Sequence, residues 1–398
     1  MTTTSTLRAL GAGFFAMLFS ACSSENSVEP LTVTDAGDAG NRESPLLPPA
    51  CDEVPTATST GAGVLSDLAH LQHRIRASGN TVYYHRDGGI HAIQVPGGTG
   101  TLLVPYPSKA GDPATRLSSF DDFWIDEKSV IGAAKGALYA APVKGGPAEL
   151  LPGYGGPSVE SPFSYYARSG EQVVRAAEIV PTGKVVERLP LSGGPSSTIV
   201  SLHDTDPGPV VIGDQSLYFV DRGEGDDDAT ASIFATPLDA SAPTAVARHL
   251  QSPRLLGFFD GNLYVHDRSS ARGQLWRVRA DSSIEKVPVP ENVGFSLSVE
   301  STRLVNVGSV GYVTALAHYR LPNDGGTTLR DVVLRIRPDG TTAEVLHCFP
   351  DWAVESGGDP QYVSFIDIAA SDSRLYYAIS RVDRTNNTWE DQIVELAP

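Results

Sequence analysis

The phrase "SLYFVDR" at residues 216–222 returns as "NLYVHDR" at residues 262–268, 46 residues further along the chain. Weaker copies, "TVYYHRD" and "RLYYAIS", occupy residues 81–87 and 374–380. Each copy is a short run of aromatic and β-branched residues next to turn residues, a pattern that predicts a β-strand. A repeat with a period near 45 residues indicates a fold built from copies of one supersecondary unit.

Each phrase is followed by a second alternating run, for example "SIFATPL" at 232–238 and "QLWRVRA" at 274–280. A third, shorter run closes most units, as in "AVARHL" at 245–250. Turns marked by Gly, Asp or Pro, such as "VKGGPA" and "LSGGPS", separate the second and third runs. The unit is therefore a set of antiparallel hairpins, with a fourth strand expected in the connecting segment.

Seven such units fit the chain, with steps of 43 to 48 residues and a last step of 64. Their anchors lie near residues 83, 131, 174, 218, 264, 312 and 376. This spacing predicts an all-β protein, a β-propeller of seven four-stranded blades, although six or eight blades also fit the pattern. The last unit ends at Pro398 without its outermost strand. We expect residues 51–60 to supply that strand and close the ring, which leaves few free strand edges.

The phrases "LYFVDR" and "LYVHDR" resemble the strand phrases of exported TolB-like and YWTD-like propellers. The resemblance extends over most of residues 64–398, and we assign residues 51–398 to the propeller domain. It implies a fold and leaves the function open, because one propeller architecture serves many functions.

The N-terminus predicts export. Residues 1–21 carry one cation, Arg8, then the apolar run "ALGAGFFAMLF" and a small-residue end, the layout of a signal peptide. The run is shorter than the roughly 20 residues that a membrane-spanning helix needs.

The end of this segment, "LFSAC" at 18–22, resembles a bacterial lipobox, although Phe19 stands where that motif usually has Leu. The resemblance implies that Cys22 is lipidated, and Ser23 points to the outer rather than the inner membrane. An ordinary secretory signal with an incidental cysteine is the alternative. Residues 22–50 are rich in Ser, Asp, Gly, Ala and Pro, which predicts a disordered tether.

The composition argues against nucleic acid as a partner. A formal net charge of −17 disfavours binding to nucleic acid, which depends on clustered Lys and Arg. We expect contact with the membrane only through lipid at Cys22, and a monomeric ring. If Cys22 is acylated, Cys51 and Cys348 remain as a candidate disulfide in an exported protein.

Two sets of residues are candidates for chemistry. Carboxylates in "GEGDDD" could bind calcium, but their spacing is not that of an EF-hand, and an acidic hairpin tip is the alternative. These carboxylates are Glu224, Asp226, Asp227 and Asp228. His85 and His266 occupy one repeat position and could face a central channel. Packing between blades is the alternative, because other units carry Val220 and Ala378 there.

The sequence contains no GxSxG, HExxH or CxxC motif. We therefore expect a binding or scaffolding module of the cell envelope that recognises a protein or a glycan at one face of the ring, without a cofactor. The alternative is an exported enzyme, a lyase or glycan hydrolase, which could use calcium bound at "GEGDDD".

Overall fold

The structure is a computed structural model. It describes residues 57–64, 72–86, 88–107, 120–134, 136–154, 160–179, 183–203, 207–223, 230–238, 242–267, 273–295, 303–320, 327–337, 339–349, 363–383 and 388–396. These residues form strands and turns and contain no helix, so none of them belongs to a helix that could cross a membrane.

The strands form seven antiparallel sheets, which are the seven blades of a β-propeller. The first strand in the described part of the chain, β1 (Ala57–Val64), belongs to the last blade. Blade 1 contains β2 (Gln72–Ser78), β3 (Thr81–Arg86), β4 (Gly89–Gln94) and β5 (Thr101–Pro105). Blade 2 contains β6 (Asp122–Ile125), β7 (Ser129–Ala134), β8 (Ala137–Pro142) and β9 (Glu149–Leu150). Blade 3 contains β10 (Glu160–Ser169), β11 (Gln172–Ile179), β12 (Gly183–Pro190) and β13 (Ser197–Ser201).

The remaining blades repeat this order. Blade 4 contains β14 (Val211–Gly213), β15 (Ser216–Asp221), β16 (Thr230–Pro237) and β17 (Thr244–Gln251). Blade 5 contains β18 (Arg254–Phe259), β19 (Asn262–Asp267), β20 (Gln274–Val278) and β21 (Ile284–Lys286). Blade 6 contains β22 (Val293–Gly294), β23 (Leu304–Val307), β24 (Val310–Arg320), β25 (Thr327–Ile336) and β26 (Ala343–Cys348). Blade 7 contains β27 (Val363–Ser371), β28 (Arg374–Asp383) and β29 (Thr388–Leu396), and β1 is its fourth strand.

The repeat phrases correspond to the second strand of each blade, and the predicted seven blades are confirmed. Blade 6 departs from the simple repeat because two short segments, β22 and β23, pair with different parts of β24 in place of one first strand.

The ring is closed by the N-terminal strand, as predicted. β1 pairs antiparallel with β29, from Ala57 opposite Val394 to Val64 opposite Thr388. The strand extends four residues beyond the predicted segment, 51–60, of which residues 51–56 lie outside the described part of the chain. Blade 1 also holds β1, since Arg86 donates to the carbonyl of Thr60 and the Gly97 amide donates to Thr58 Oγ1 at 3.0 Å.

The core is divided among the interfaces between blades. Seven apolar clusters each join two neighbouring blades, and one of them joins blade 7 to blade 1 through Tyr376 and Val82. Close approach of the inner strands depends on glycine: a Cβ atom on Gly213 would overlap the ring of Phe258 in the next blade. Every blade therefore buries both faces against its neighbours.

Candidate functional site

The first strands of the blades form the inner wall of the ring. β2 contacts β27 on one side and β6 on the other, and contacts of the same kind connect β14, β18, β23 and β27 in turn. Side chains from blades that are far apart in sequence can therefore meet only at this inner wall or at the interface where the ring closes.

Five charged residues meet on these inner strands, and we call them the inner-strand arginine cluster. They are Arg74 and Arg76 on β2, Asp122 on β6, Arg303 directly before β23, and Asp367 on β27. Together they connect blades 6, 7, 1 and 2.

Arg303 binds three blades together. Its Nη2 lies 3.0 Å from Asp367 Oδ2 and donates to the Ile75 carbonyl at 2.7 Å. Its Nε donates to the Ile368 carbonyl at 3.0 Å. Asp367 Oδ2 also accepts a hydrogen bond from the Ile75 amide at 2.9 Å. One ion pair thus connects blade 6 to blade 7 and, through the backbone of Ile75, to blade 1.

A second ion pair crosses from blade 1 to blade 2. Arg76 Nη2 donates to Asp122 Oδ1 at 2.5 Å, and Arg74 Nε lies 3.8 Å from Asp122 Oδ2. The guanidinium carbon of Arg76 lies 5.7 Å from the centroid of the Phe123 ring, a distance that permits a cation–π contact.

Irregular strand pairing places two of these side chains. The register of β2 against β3 shifts between Gln72 and Ile75, the stretch that contains Arg74. The register of β27 against β28 shifts just before Asp367. A β-bulge redirects the side chains beside it, which explains how residues of two inner strands turn toward one another.

The cluster combines burial with partial exposure. The side chains of Asp122 and Asp367 are buried, whereas those of Arg74, Arg76 and Arg303 are 23%, 18% and 20% exposed. Burial, and next to it the charge of Arg76, lower the pKa of Arg303 to about 9, so the guanidinium stays charged at neutral pH. The site offers cationic hydrogen-bond donors to a ligand that reaches the inner wall.

A second set of arginines lies on the outer part of blades 5 and 6. Glu285 accepts hydrogen bonds from Arg277 and Arg279, and Glu344 accepts them from Arg335 and Arg337. A shallow cavity of ≈ 220 Å³ is lined by Val310, Arg335, Arg337 and Glu344. Since each glutamate binds both arginines of its hairpin, these pairs stabilise the hairpins and offer less to a ligand.

The two predicted channel histidines lie between blades. His85 is buried, with its ring centroid 4.6 Å from that of Phe123. His266 is buried 5.2 Å from the ring of Phe295, where Gly273 approaches its Nε2. These contacts fit the alternative of interblade packing, and they place neither ring in the arginine cluster.

Most other predicted site residues lie outside the described part of the chain. They are Cys22, Cys51, Glu224, Asp226, Asp227 and Asp228. Calcium binding at "GEGDDD" therefore stays a prediction, and the described residues themselves contain no group of three or more His, Cys, Asp or Glu side chains placed to bind a metal. Cys348 is buried at the end of β26, and its pairing with Cys51 also stays a prediction.

Sequence reasoning did not single out the arginine cluster. Two signals were present: the Arg-Ile-Arg alternation of "HRIRAS" at 73–78, and a lone Asp in the apolar run "SFIDIAA" at 364–370. A charged residue inside an apolar strand needs a buried partner, so Asp367 was the better signal.

Comparison with known proteins supports the fold and does not identify a family. Neither family models nor curated proteins match the chain. A solved puromycin hydrolase is similar over 86% of this chain and 56% of its own, with 10% identity and a TM-score of 0.53. A puromycin-hydrolyzing peptidase from Mycobacterium tuberculosis is similar over 85% and 56%, with 15% identity and a TM-score of 0.51.

The chain thus spans about half the length of these two hydrolases. The TolB structure from Acinetobacter baumannii is also similar, over 82% of this chain and 79% of its own, with 10% identity and a TM-score of 0.38. At these identities the similarity concerns the propeller fold alone.

Proposed function

We propose that this protein is a binding module of the bacterial cell envelope, which holds a protein or glycan ligand at one face of its propeller. The observation that supports the proposal is the inner-strand arginine cluster, where three partly exposed guanidinium groups meet on the wall of the ring. Charged donors on rigid, neighbouring strands can fix a ligand at little cost in ordering.

The same proposal includes export and anchoring. The signal-peptide layout of residues 1–21 and the lipobox-like "LFSAC" support lipidation at Cys22, with residues 22–50 as the tether and the outer membrane as the location. Metabolic labelling with a fatty-acid analogue tests this step. The parent should carry the label and fractionate with membranes, whereas Cys22→Ser should lose both the label and the membrane association.

Site-specific photo-crosslinking in the native envelope tests the binding role. A photoreactive residue is placed at Ser78, an exposed position of the inner strand β2, and in a second variant at Leu102, an exposed position of the outer strand β5. We expect one captured species from position 78, absent from position 102 and suppressed by excess unmodified protein. Equal capture at both positions, or capture that cannot be saturated, would contradict a binding role for the inner wall.

A further inference from the structure

Three blades carry an arginine at the same repeat position of their third strand. These arginines are Arg188, Arg277 and Arg335, and they pair with the repeat anchors Val174, Tyr264 and Tyr312. Arg188 donates to the Leu238 carbonyl, and Arg277 Nη1 donates to the Asp339 carbonyl at 2.7 Å. Both carbonyls belong to the turn after the third strand of the next blade. In blades 3 and 5, the turn of the following blade therefore accepts a hydrogen bond from this arginine.

The arginine of blade 6, Arg335, has a different neighbour. The third and fourth strands of blade 7 are β29 and β1, which come from opposite ends of the described chain, so no hairpin turn of that chain joins them. The side chain of Arg335 is accordingly 40% exposed, whereas that of Arg277 is 7% exposed. Within the described residues, Arg335 donates through Nε and Nη2 to Glu344, which leaves Nη1 for another acceptor.

A cavity lies beside Arg335 at the boundary of blades 6 and 7. Its volume is ≈ 220 Å³, and it is lined by Val310, Arg335, Arg337 and Glu344. Val310 packs against the apolar cluster that these two blades share, as does Leu396 at the end of β29. The cavity therefore lies near the position where a turn after β29 would cover Arg335, in the way that the turn of blade 6 covers Arg277.

The two internal turns show what kind of chain segment fits such an arginine. Each turn contains an aspartate in its sequence, Asp239 in blade 4 and Asp339 in blade 6. Hydrogen bonds from Thr341 and, to a smaller degree, the charges of Arg337 and Arg277 hold the pKa of Asp339 below its ordinary value. A turn with an aspartate thus brings a carbonyl acceptor and a carboxylate to one group of arginines.

We propose that the cavity between blades 6 and 7 binds a tight turn of a partner protein that carries an aspartate. Arg335 Nη1 would donate to a main-chain carbonyl of the turn, as Arg277 Nη1 does to that of Asp339. Within the described residues, Arg337 donates to Glu344 through Nη2, so its other N–H groups can pair with the aspartate. Since Glu344 holds both guanidinium groups in place, little ordering is needed when the turn binds. This surface lies on the outer part of the ring, so the inference goes beyond the proposed ligand site on the inner wall.

Fluorescence anisotropy with the exported full-length protein tests the proposal. The probe is a labelled cyclic peptide that reproduces residues 338–342, Pro-Asp-Gly-Thr-Thr. A cycle with Asp339→Asn and a cycle of scrambled order are the comparison peptides. We expect saturable binding of the probe and weaker binding of the Asn cycle. The scrambled cycle should bind about tenfold more weakly or worse, because it cannot present the carbonyl and the carboxylate together.

Variants of the protein complete the test. Arg335→Gln should weaken binding of the probe by about tenfold or more, because a hydrogen bond from a charged donor is lost. Arg335→Lys, which keeps the charge and loses the fork, should weaken it less. Val310→Trp, which fills the cavity without changing its charge, should abolish binding. Arg279→Gln is the matched control, since Arg279 pairs with Glu285 in the corresponding hairpin of blade 5, and it should bind like the parent. A melting temperature near that of the parent shows that each variant is folded.

Several results would overturn the proposal. They are the absence of saturable binding, equal binding of the scrambled cycle, and full binding by Val310→Trp or Arg335→Gln. Two acidic residues, Asp52 and Glu53, precede β1 in the sequence. Binding that appears only after Asp52→Asn and Glu53→Gln would show that the chain itself occupies the cavity, which would also reject a partner protein there.

Discussion

Adjacent residues of the repeat phrase contact different blades. Leu263 lies in the apolar cluster shared with blade 4, and Tyr264 lies in the cluster shared with blade 6. The pair Leu375 and Tyr376 likewise contacts the blades before and after its own. Since neighbouring residues of a strand point to opposite faces of the sheet, one dipeptide serves both interfaces. This explains why the phrase recurs.

Leu263→Ala tests the interface role of this position. The side chain is fully buried, so we expect the free energy of unfolding to fall by about 2–5 kcal/mol through lost burial and the resulting cavity. Urea unfolding measures the change. The control is Leu102→Ala, at a side chain that is 51% exposed, which should change stability by less than about 0.5 kcal/mol. Similar losses in both variants would show that Leu263 is not a core residue.

Asp331 on β25 should make stability depend on pH. Burial raises the pKa of this carboxyl from 3.8 to about 6. Between these two values the folded state binds more protons than the unfolded state, so the contribution of Asp331 to stability falls as the pH rises.

Asp331→Asn should remove this dependence. Above pH 6 we expect the variant to be more stable than the parent by up to about 3 kcal/mol, since one pKa unit corresponds to about 1.4 kcal/mol. Near pH 4 the two proteins should have similar stability. Urea midpoints at pH 4 and pH 7.5 measure the difference, with Asp372→Asn in an exposed turn as the control. A difference that does not change with pH would refute the account.

At the scale of the element, a hairpin turn joins two strands of its own blade and also forms hydrogen bonds to the neighbouring blade. The Gly146 amide in blade 2 donates to the Leu103 carbonyl of blade 1 at 3.0 Å, and Gly194 in blade 3 donates to the Pro152 carbonyl at 2.8 Å. Both glycines have positive φ, which a residue with a side chain adopts at a cost. The Gly-Gly pairs predicted the turns, but the partner strand belongs to another unit and could not be predicted from local sequence.

The predicted disulfide would join Cys51, at the start of the segment expected to close the ring, to Cys348. Peptide mapping without reductant should yield one linked peptide containing Cys51 and Cys348, which separates on reduction. If the bridge forms, Cys348→Ser should lower stability by about 2–5 kcal/mol, because the bridge restricts the unfolded chain over a long loop. Recovery of both cysteines as free thiols from the exported protein would reject the pairing.

The fold of the whole molecule could be predicted from the sequence more completely than its candidate site. Seven units share one pattern of strands, so their spacing favoured seven blades over six or eight and indicated the need for a closing strand. The arginine cluster depends instead on contacts between distant residues: Arg303 and Ile75 are 228 positions apart, and Ile75 and Asp367 are 292 apart. They meet only because blade 7 stands beside blade 1. Strand patterns define units but do not define which charges meet between them.

Ring closure is therefore the central claim, since both the apolar interface of blades 7 and 1 and the arginine cluster require it. Amide hydrogen exchange of β29 tests it most directly, by comparison of chains that begin at residue 57 and at residue 65. With β1 present, amides of β29 that face β1 should exchange slowly, and removal of β1 should speed their exchange by about tenfold or more. Equally fast exchange of these amides in both chains would show that β1 does not close the ring.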